Sequence, residues 1–161
     1  MNKVVFLDRD GVINKKREDY VKSSNELIIL PNVKKSIKEL KKNGFNIIII
    51  TNQSPINRGI ISKNELKKIH EEMILKINEG LTLDMIYYCP HRPDEKCECR
   101  KPKPGMLLQA IKDWEVDIEK SWLIGDFESD VQAGKAVGIK SIRIKENEDL
   151  LKAVNRIKNG I

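Results

Sequence analysis

Five short strand-like runs, each separated from the next by a longer stretch of helical periodicity, constrain this chain more than any other feature. Val4-Val5-Phe6-Leu7, Ile47-Ile48-Ile49-Ile50, Met85 to Tyr88, Trp122-Leu123-Ile124 and Ser141 to Ile144 read as strands. The second is β-branched throughout, the pattern of a central parallel strand covered on both faces. Between the strands, Val33, Ile37 and Leu40 recur at helical spacing and Asn43-Gly44 supplies a stop. Ser62 with Glu65 forms a capping box for a helix whose inner face is Leu66, Ile69, Met73 and Ile77, with Gly80 as its end. Met106 to Trp114, Asp130 to Val137 and Glu148 to Lys158 supply the remaining helices. Strands joined through helices demand right-handed crossovers, so the expected fold is α/β. It is a doubly wound, Rossmann-like, three-layer α/β/α domain with a parallel sheet, a single domain over residues 1–161.

Ligands of such folds sit beyond the carboxyl ends of the strands, so chemistry is expected in the residues that follow each run. Asp8-Arg9-Asp10-Gly11 follows the first run, and its two carboxylates can face one pocket if the chain turns at Gly11. Thr51-Asn52-Gln53-Ser54, a cluster of neutral donors, follows the second. Arg100-Lys101-Pro102 lies beyond the third, and Gly125-Asp126, with Asp130 four residues on, follows the fourth. Read singly, these are turns, polar loops or helix caps. A parallel sheet places all of them at one edge. The acids there suit a hard divalent cation held by oxygen, magnesium where phosphate is handled. The cations and amides suit a phosphoryl group, whose transfer is promoted mainly by positioning and charge stabilisation. The polar residues 15–26 are expected to form a surface loop over the same edge.

All three cysteines fall in one short stretch, a poor disulfide framework. Cys89 and His91, followed by Cys97 and Cys99, would fill a tetrahedral zinc site with no open position, which is structural zinc. His70 stands on a helix with no partner in sequence and reads as an ordinary surface or helix residue. The formal charge of +6 raises nucleic acid as a partner, but the lysines are dispersed over helical segments. Aromatic residues make up only 5%, too few for a stacking platform, so no nucleic-acid partner is expected. No run is long enough to span a bilayer and no secretory h-region is visible, which makes a cytoplasmic protein without a membrane partner the default expectation.

Phe6-Leu7-Asp8-Arg9-Asp10-Gly11, Thr51-Asn52-Gln53, Lys101-Pro102 and Gly125-Asp126-Phe127-Glu128-Ser129-Asp130 resemble the four ordered motifs of the haloacid dehalogenase superfamily of phosphatases. The resemblance runs from Val4 to Ile144. It implies a magnesium-dependent phosphohydrolase in which Asp8 is the nucleophile and Asp10 the acid and then the base. It implies that the Asp8 side chain, the Asp10 backbone carbonyl and Asp126 hold the magnesium, with Asp130 in support. Thr51 would bond the transferring phosphoryl group and Lys101 would balance its charge, Lys103 being the alternative lysine.

With the Cys–His loop added, the chain resembles the D-glycero-D-manno-heptose 1,7-bisphosphate phosphatases and the related histidinol-phosphate phosphatases, which carry no large cap domain. The heptose group is the nearer likeness, and it implies Tyr20, Asn52, Gln53, Ser54, Arg58 and Arg100 at the substrate. Phe127 departs from that pattern, standing where a lysine usually meets the substrate's other phosphate. The resemblance therefore implies a small phosphorylated substrate, a sugar bisphosphate before histidinol phosphate, handled by a monomer. A polynucleotide 3′-phosphatase is the more distant alternative.

Overall fold

The computed structural model describes residues 1–160. Its five strands, β1 (Val4–Leu7), β2 (Asn46–Asn52), β3 (Ile86–Cys89), β4 (Trp122–Gly125) and β5 (Lys140–Arg143), form one sheet in the order β3-β2-β1-β4-β5. Every pairing is parallel. The helices are α1 (Val33–Lys42), α2 (Lys63–Ile77), α3 (Gly105–Asp113), α4 (Glu128–Ala136) and α5 (Leu150–Lys158).

The continuous apolar runs of β1 and β2 follow from burial on both faces. Val5, Leu7, Ile47 and Ile49 pack into one layer with α1, α2 and α5. Their neighbours Val4, Phe6, Ile48 and Ile50 pack into the opposite layer with α3 and α4. Alternation of successive side chains across a strand makes this division automatic. The result is the three-layer α/β/α arrangement that the strand and helix pattern predicts.

Local chemistry explains most boundaries. At α2, the Ser62 hydroxyl accepts from the Glu65 N–H at 3.1 Å and the Glu65 carboxylate accepts from the Ser62 N–H at 2.6 Å. The box therefore satisfies two donors that a helix start leaves open. The helix does not run to Gly80. It ends at Ile77 because Asn78 takes the left-handed conformation at φ 49° and closes the last turn onto Ile74. α4 begins two residues before the expected Asp130, whose carboxylate accepts from the Phe127 N–H at 3.0 Å and caps the helix from inside its first turn.

The chain moves outward from β1 to β2 and β3, then crosses back to β4 on the other side of β1. This reversal opens a crevice above the carboxyl ends of β1 and β4. Asp8 leaves the sheet at the first and Asp126 at the second.

Candidate active site

Asp8 follows β1 and hydrogen-bonds through its N–H to the Ile124 carbonyl of β4 at 3.1 Å, which fixes it beside the Asp126 segment. One of its carboxylate oxygens accepts from the Arg9 N–H at 2.8 Å and from Lys101 Nζ at 3.0 Å. Lys101 Nζ also lies 2.6 Å from Asp130 Oδ1 and donates to the Ile50 carbonyl at 2.9 Å. Burial works against charge on Lys101, but the Asp8 and Asp130 carboxylates outweigh it and push its pKa upward. Burial pushes the Asp8 carboxyl well above the usual range; Lys101 opposes this, and Asp130, Asp126 and Asp10 add to it. Lys103 takes no part: its side chain is exposed and lies 3.9 Å from Glu98.

Carboxylate oxygens of Asp8, Asp126 and Asp130 lie within 4.8 Å of one another. Asp126 Oδ1 is buried and has no hydrogen-bond partner. A buried, unpaired carboxylate oxygen among two further acids is costly unless a cation meets it, so the donor set fits a hard divalent ion. The backbone is shaped to the same end. Gly11 takes φ +85°, and a Cβ there would collide with the Asp126 carboxylate. Asp10's carboxylate stands outside this group of three.

Asp10 is held separately. Its oxygens accept from Arg9 Nη2 at 2.9 and 3.2 Å, from Asn14 Nδ2 at 3.0 Å and from Gln53 Nε2 at 2.9 Å. Burial alone would raise its pKa, but the Arg9 charge and the three donors prevail and hold the carboxyl below its ordinary value. Gln53 also donates to Thr51 Oγ1 at 2.9 Å. Thr51 and Gln53 are both buried behind Asp10, and neither lines the cleft. Asn52, on the opposite face of β2, pairs its amide with the Lys101 backbone, accepting from the N–H at 3.0 Å and donating to the carbonyl at 3.2 Å.

His70 departs from the surface residue expected of it. It is 3% exposed, and Arg9 Nη1 reaches its Nε2 at 3.1 Å. The inner face of α2 is wider than its aliphatic stripe indicates. Burial, reinforced by the Arg9 charge and opposed by Asp10, pushes the His70 pKa down to about 3.

A cleft of about 300 Å³ opens above the carboxylates, with Tyr20, Asn52, Ser54, Arg58 and Arg100 on its walls. Arg58 Nε donates to Ser54 Oγ at 3.1 Å, and Arg100 Nη1 donates to the His91 carbonyl at 3.2 Å. Lys16, which belongs to none of the motifs of the sequence, also lines the cleft. Its ammonium lies 3.4 Å from Asp126 Oδ2 and 4.2 Å from the centre of the Phe127 ring. The polar loop of residues 15–26 was the one signal that could have found it.

Beyond β3, Cys89 Sγ lies 3.0 Å from Cys99 Sγ and 3.9 Å from Cys97 Sγ. His91 Nδ1 is 3.3 Å from Cys89 Sγ and 3.2 Å from Cys99 Sγ, and all three cysteines are free thiols. Three sulfurs and one imidazole nitrogen at such separations fit a closed tetrahedral zinc site. The loop they gather leads directly into Arg100 and Lys101.

Residues 3–150 match the family described as polynucleotide kinase 3 phosphatase. A D-glycero-beta-D-manno-heptose-1,7-bisphosphate 7-phosphatase from Helicobacter pylori strain J99 is 42% identical over 143 residues, 87% of this chain and 81% of that one. The protein of that name from Pseudomonas putida KT2440 is 39% identical over 144 residues, 89% of this chain and 82% of that one. The chain belongs to the heptose-1,7-bisphosphate 7-phosphatase family of haloacid dehalogenase-type phosphatases. It is a phosphoric monoester hydrolase. The family's fold extends over it in three dimensions as well. The crystal structure of a D,D-heptose 1,7-bisphosphate phosphatase from B. bronchiseptica, complexed with magnesium and phosphate, superposes with a TM-score of 0.84. The two are 34% identical, and the match covers 96% of this chain and 86% of the other. Among the described residues, no helix is long and apolar enough to cross a membrane.

Proposed function

We propose that this chain removes the 7-phosphate of D-glycero-β-D-manno-heptose 1,7-bisphosphate through an aspartyl-phosphate on Asp8. The observation that carries the reading is the pairing of Asp8 with Lys101 at 3.0 Å on the floor of a cleft whose walls hold Arg58 and Arg100. Among the described residues, neither arginine is paired with a carboxylate. One phosphate would meet Asp8 and Lys101, and two arginines remain for a second. The names of the curated relatives favour the same substrate.

Asp8 attacks phosphorus, and the bond to the ester oxygen breaks with its electron pair on the leaving alkoxide. The Asp10 carboxyl gives that oxygen a proton and then, as a carboxylate, takes one from water. The resulting hydroxide attacks the acyl phosphate, returning Asp8 and releasing inorganic phosphate. An arriving phosphoryl dianion opposes the donors that hold Asp10 ionised and favours its proton-bearing form. Thr51, buried behind Asp10, accepts from Gln53 and so steadies the amide that holds the Asp10 carboxylate, in place of the phosphoryl contact expected of it. Asp8, Asp126 and the Asp10 carbonyl would hold magnesium, with Asp130 beside them, and the ion would supply positive charge against the phosphoryl oxygens. Zinc on Cys89, His91, Cys97 and Cys99 would fix the loop that delivers Arg100 and Lys101. A cleft of about 300 Å³ suits a small phosphorylated molecule.

The test is phosphate release from heptose 1,7-bisphosphate, histidinol phosphate and a 3′-phosphorylated oligonucleotide, each with magnesium. The heptose substrate should lead in kcat/KM by about a hundredfold or more. Faster turnover of either competitor overturns the substrate. Asp8→Asn should fold normally and lose about a thousandfold or more in kcat; near-native turnover overturns the nucleophile.

A further inference from the structure

The Arg9 side chain is 1% exposed, and its guanidinium touches Asp10 on one side and His70 on the other. A buried guanidinium is expensive to desolvate, and leaving any of its N–H groups unpaired adds to that cost. Nη2 is satisfied by both Asp10 oxygens and Nε reaches Asp10 Oδ1 at 3.3 Å. Nη1 is met by His70 Nε2 at 3.1 Å. Arginine can only donate, so His70 Nε2 accepts and the ring is neutral with its proton on Nδ1. That form agrees with the depressed imidazole pKa.

We propose that His70 is a positioning residue for the reaction: by accepting from Arg9 Nη1 it locks the guanidinium in the orientation that aims the Asp10 carboxyl at the leaving group and at the attacking water. The proposal rests on the assignment of Asp10 as acid and base. Planar, bidentate contact explains why an arginine serves, since rotating the guanidinium would swing Nη2 and Nε off the carboxylate. Asn14 and Gln53 hold Asp10 from other directions but do not restrain Arg9. His70 is anchored by α2, with the Tyr88 ring 6.3 Å away. A groove of about 400 Å³ between α2 and β3, lined by Lys63, Lys67, His70 and Tyr88, is distinct from the cleft above the carboxylates. The lock is therefore built from a packed helix and is separate from the substrate cleft.

His70→Leu removes the acceptor, while His70→Gln keeps one within reach of Arg9. Both are assayed with p-nitrophenyl phosphate, whose leaving group needs no proton, and with an alkyl phosphate, whose leaving group does. Acid quenching measures the fraction of enzyme carrying phosphoaspartate in the steady state. His70→Leu should lower kcat for the alkyl ester by about ten- to a hundredfold, because general acid–base catalysis is worth at least that much. KM should stay within about twofold. With p-nitrophenyl phosphate the phosphoenzyme should accumulate, since its hydrolysis still needs an aimed base. His70→Gln should recover kcat to within about threefold of the native value. His70→Asn, an amide too short to reach Arg9, carries the leucine expectation should that variant fail to fold. Unchanged kcat in His70→Leu, or equal losses in the leucine and glutamine variants without phosphoenzyme accumulation, overturns the proposal. Asp10→Asn tests the underlying assignment separately: native turnover there removes Asp10 from the mechanism whatever His70 does.

Discussion

Once the chain unfolds, His70 regains an ordinary imidazole pKa near 6.5, against about 3 in the folded protein. Between those values the unfolded chain binds a proton that the native state does not. The native state therefore loses stability as pH falls from 6.5 toward 3 and loses almost nothing from this group above pH 7. Each pH unit in that window is worth about 1.4 kcal/mol, so the cost between pH 7.5 and pH 4.5 is about 2.7 kcal/mol. Other groups titrate too. Asp8, with its raised pKa, gains native stability on acidification, and Asp10, with its lowered one, loses it. The comparison that isolates the imidazole is native protein against His70→Gln, in urea at pH 7.5 and pH 4.5, followed by tryptophan fluorescence. The loss between the two pH values should be smaller in the variant by about 2–3 kcal/mol. Equal losses within about 0.5 kcal/mol would refute the picture of a neutral imidazole enclosed against a buried guanidinium.

Two further outcomes follow from the geometry. Lys16 holds its ammonium 3.4 Å from Asp126 Oδ2, so it competes with any cation for that carboxylate. Lys16→Met should tighten magnesium binding, measured by calorimetry, about five- to thirtyfold, the equivalent of about 1–2 kcal/mol for a pair near the solvent boundary; unchanged affinity would show that the ammonium moves aside at no cost. Cys99→Ser opens the four-ligand cluster that feeds Lys101 into the site. It should abolish stoichiometric zinc on metal analysis, lower kcat, and reduce Tm by about 10 °C if about 3 kcal/mol of metal-linked stability is lost; an unchanged Tm with zinc absent would remove zinc from the folding of the loop.

The apolar runs and their spacing were enough to derive the layered parallel sheet from the amino-acid order alone, because burial on both faces leaves no polar alternation in β1 or β2. The same order placed Asp8, Thr51, Lys101 and Asp126 near one sheet edge, since parallel crossovers bring strand ends together whatever the helices between them contain. The cysteine–histidine spacing was legible for a similar reason: its ligands lie within one short loop. What packing alone decided were the partners of each group. Successive residues of β2 face opposite layers, so Thr51 was turned toward the Gln53 amide and Asn52 toward the Lys101 backbone, a division that proximity in sequence conceals. Arg9 sits between the two aspartates in the sequence, yet its charge became interior only because α2 brings His70 across 61 residues to meet it. Lys16 acquired its place at Asp126 through a loop pinned by its N–H to the Asn147 side chain at 2.9 Å, 131 residues away. Periodicity reports which face of an element is covered; only the packed structure determines which polar group a buried charge will meet, because that depends on the relative placement of elements distant along the chain.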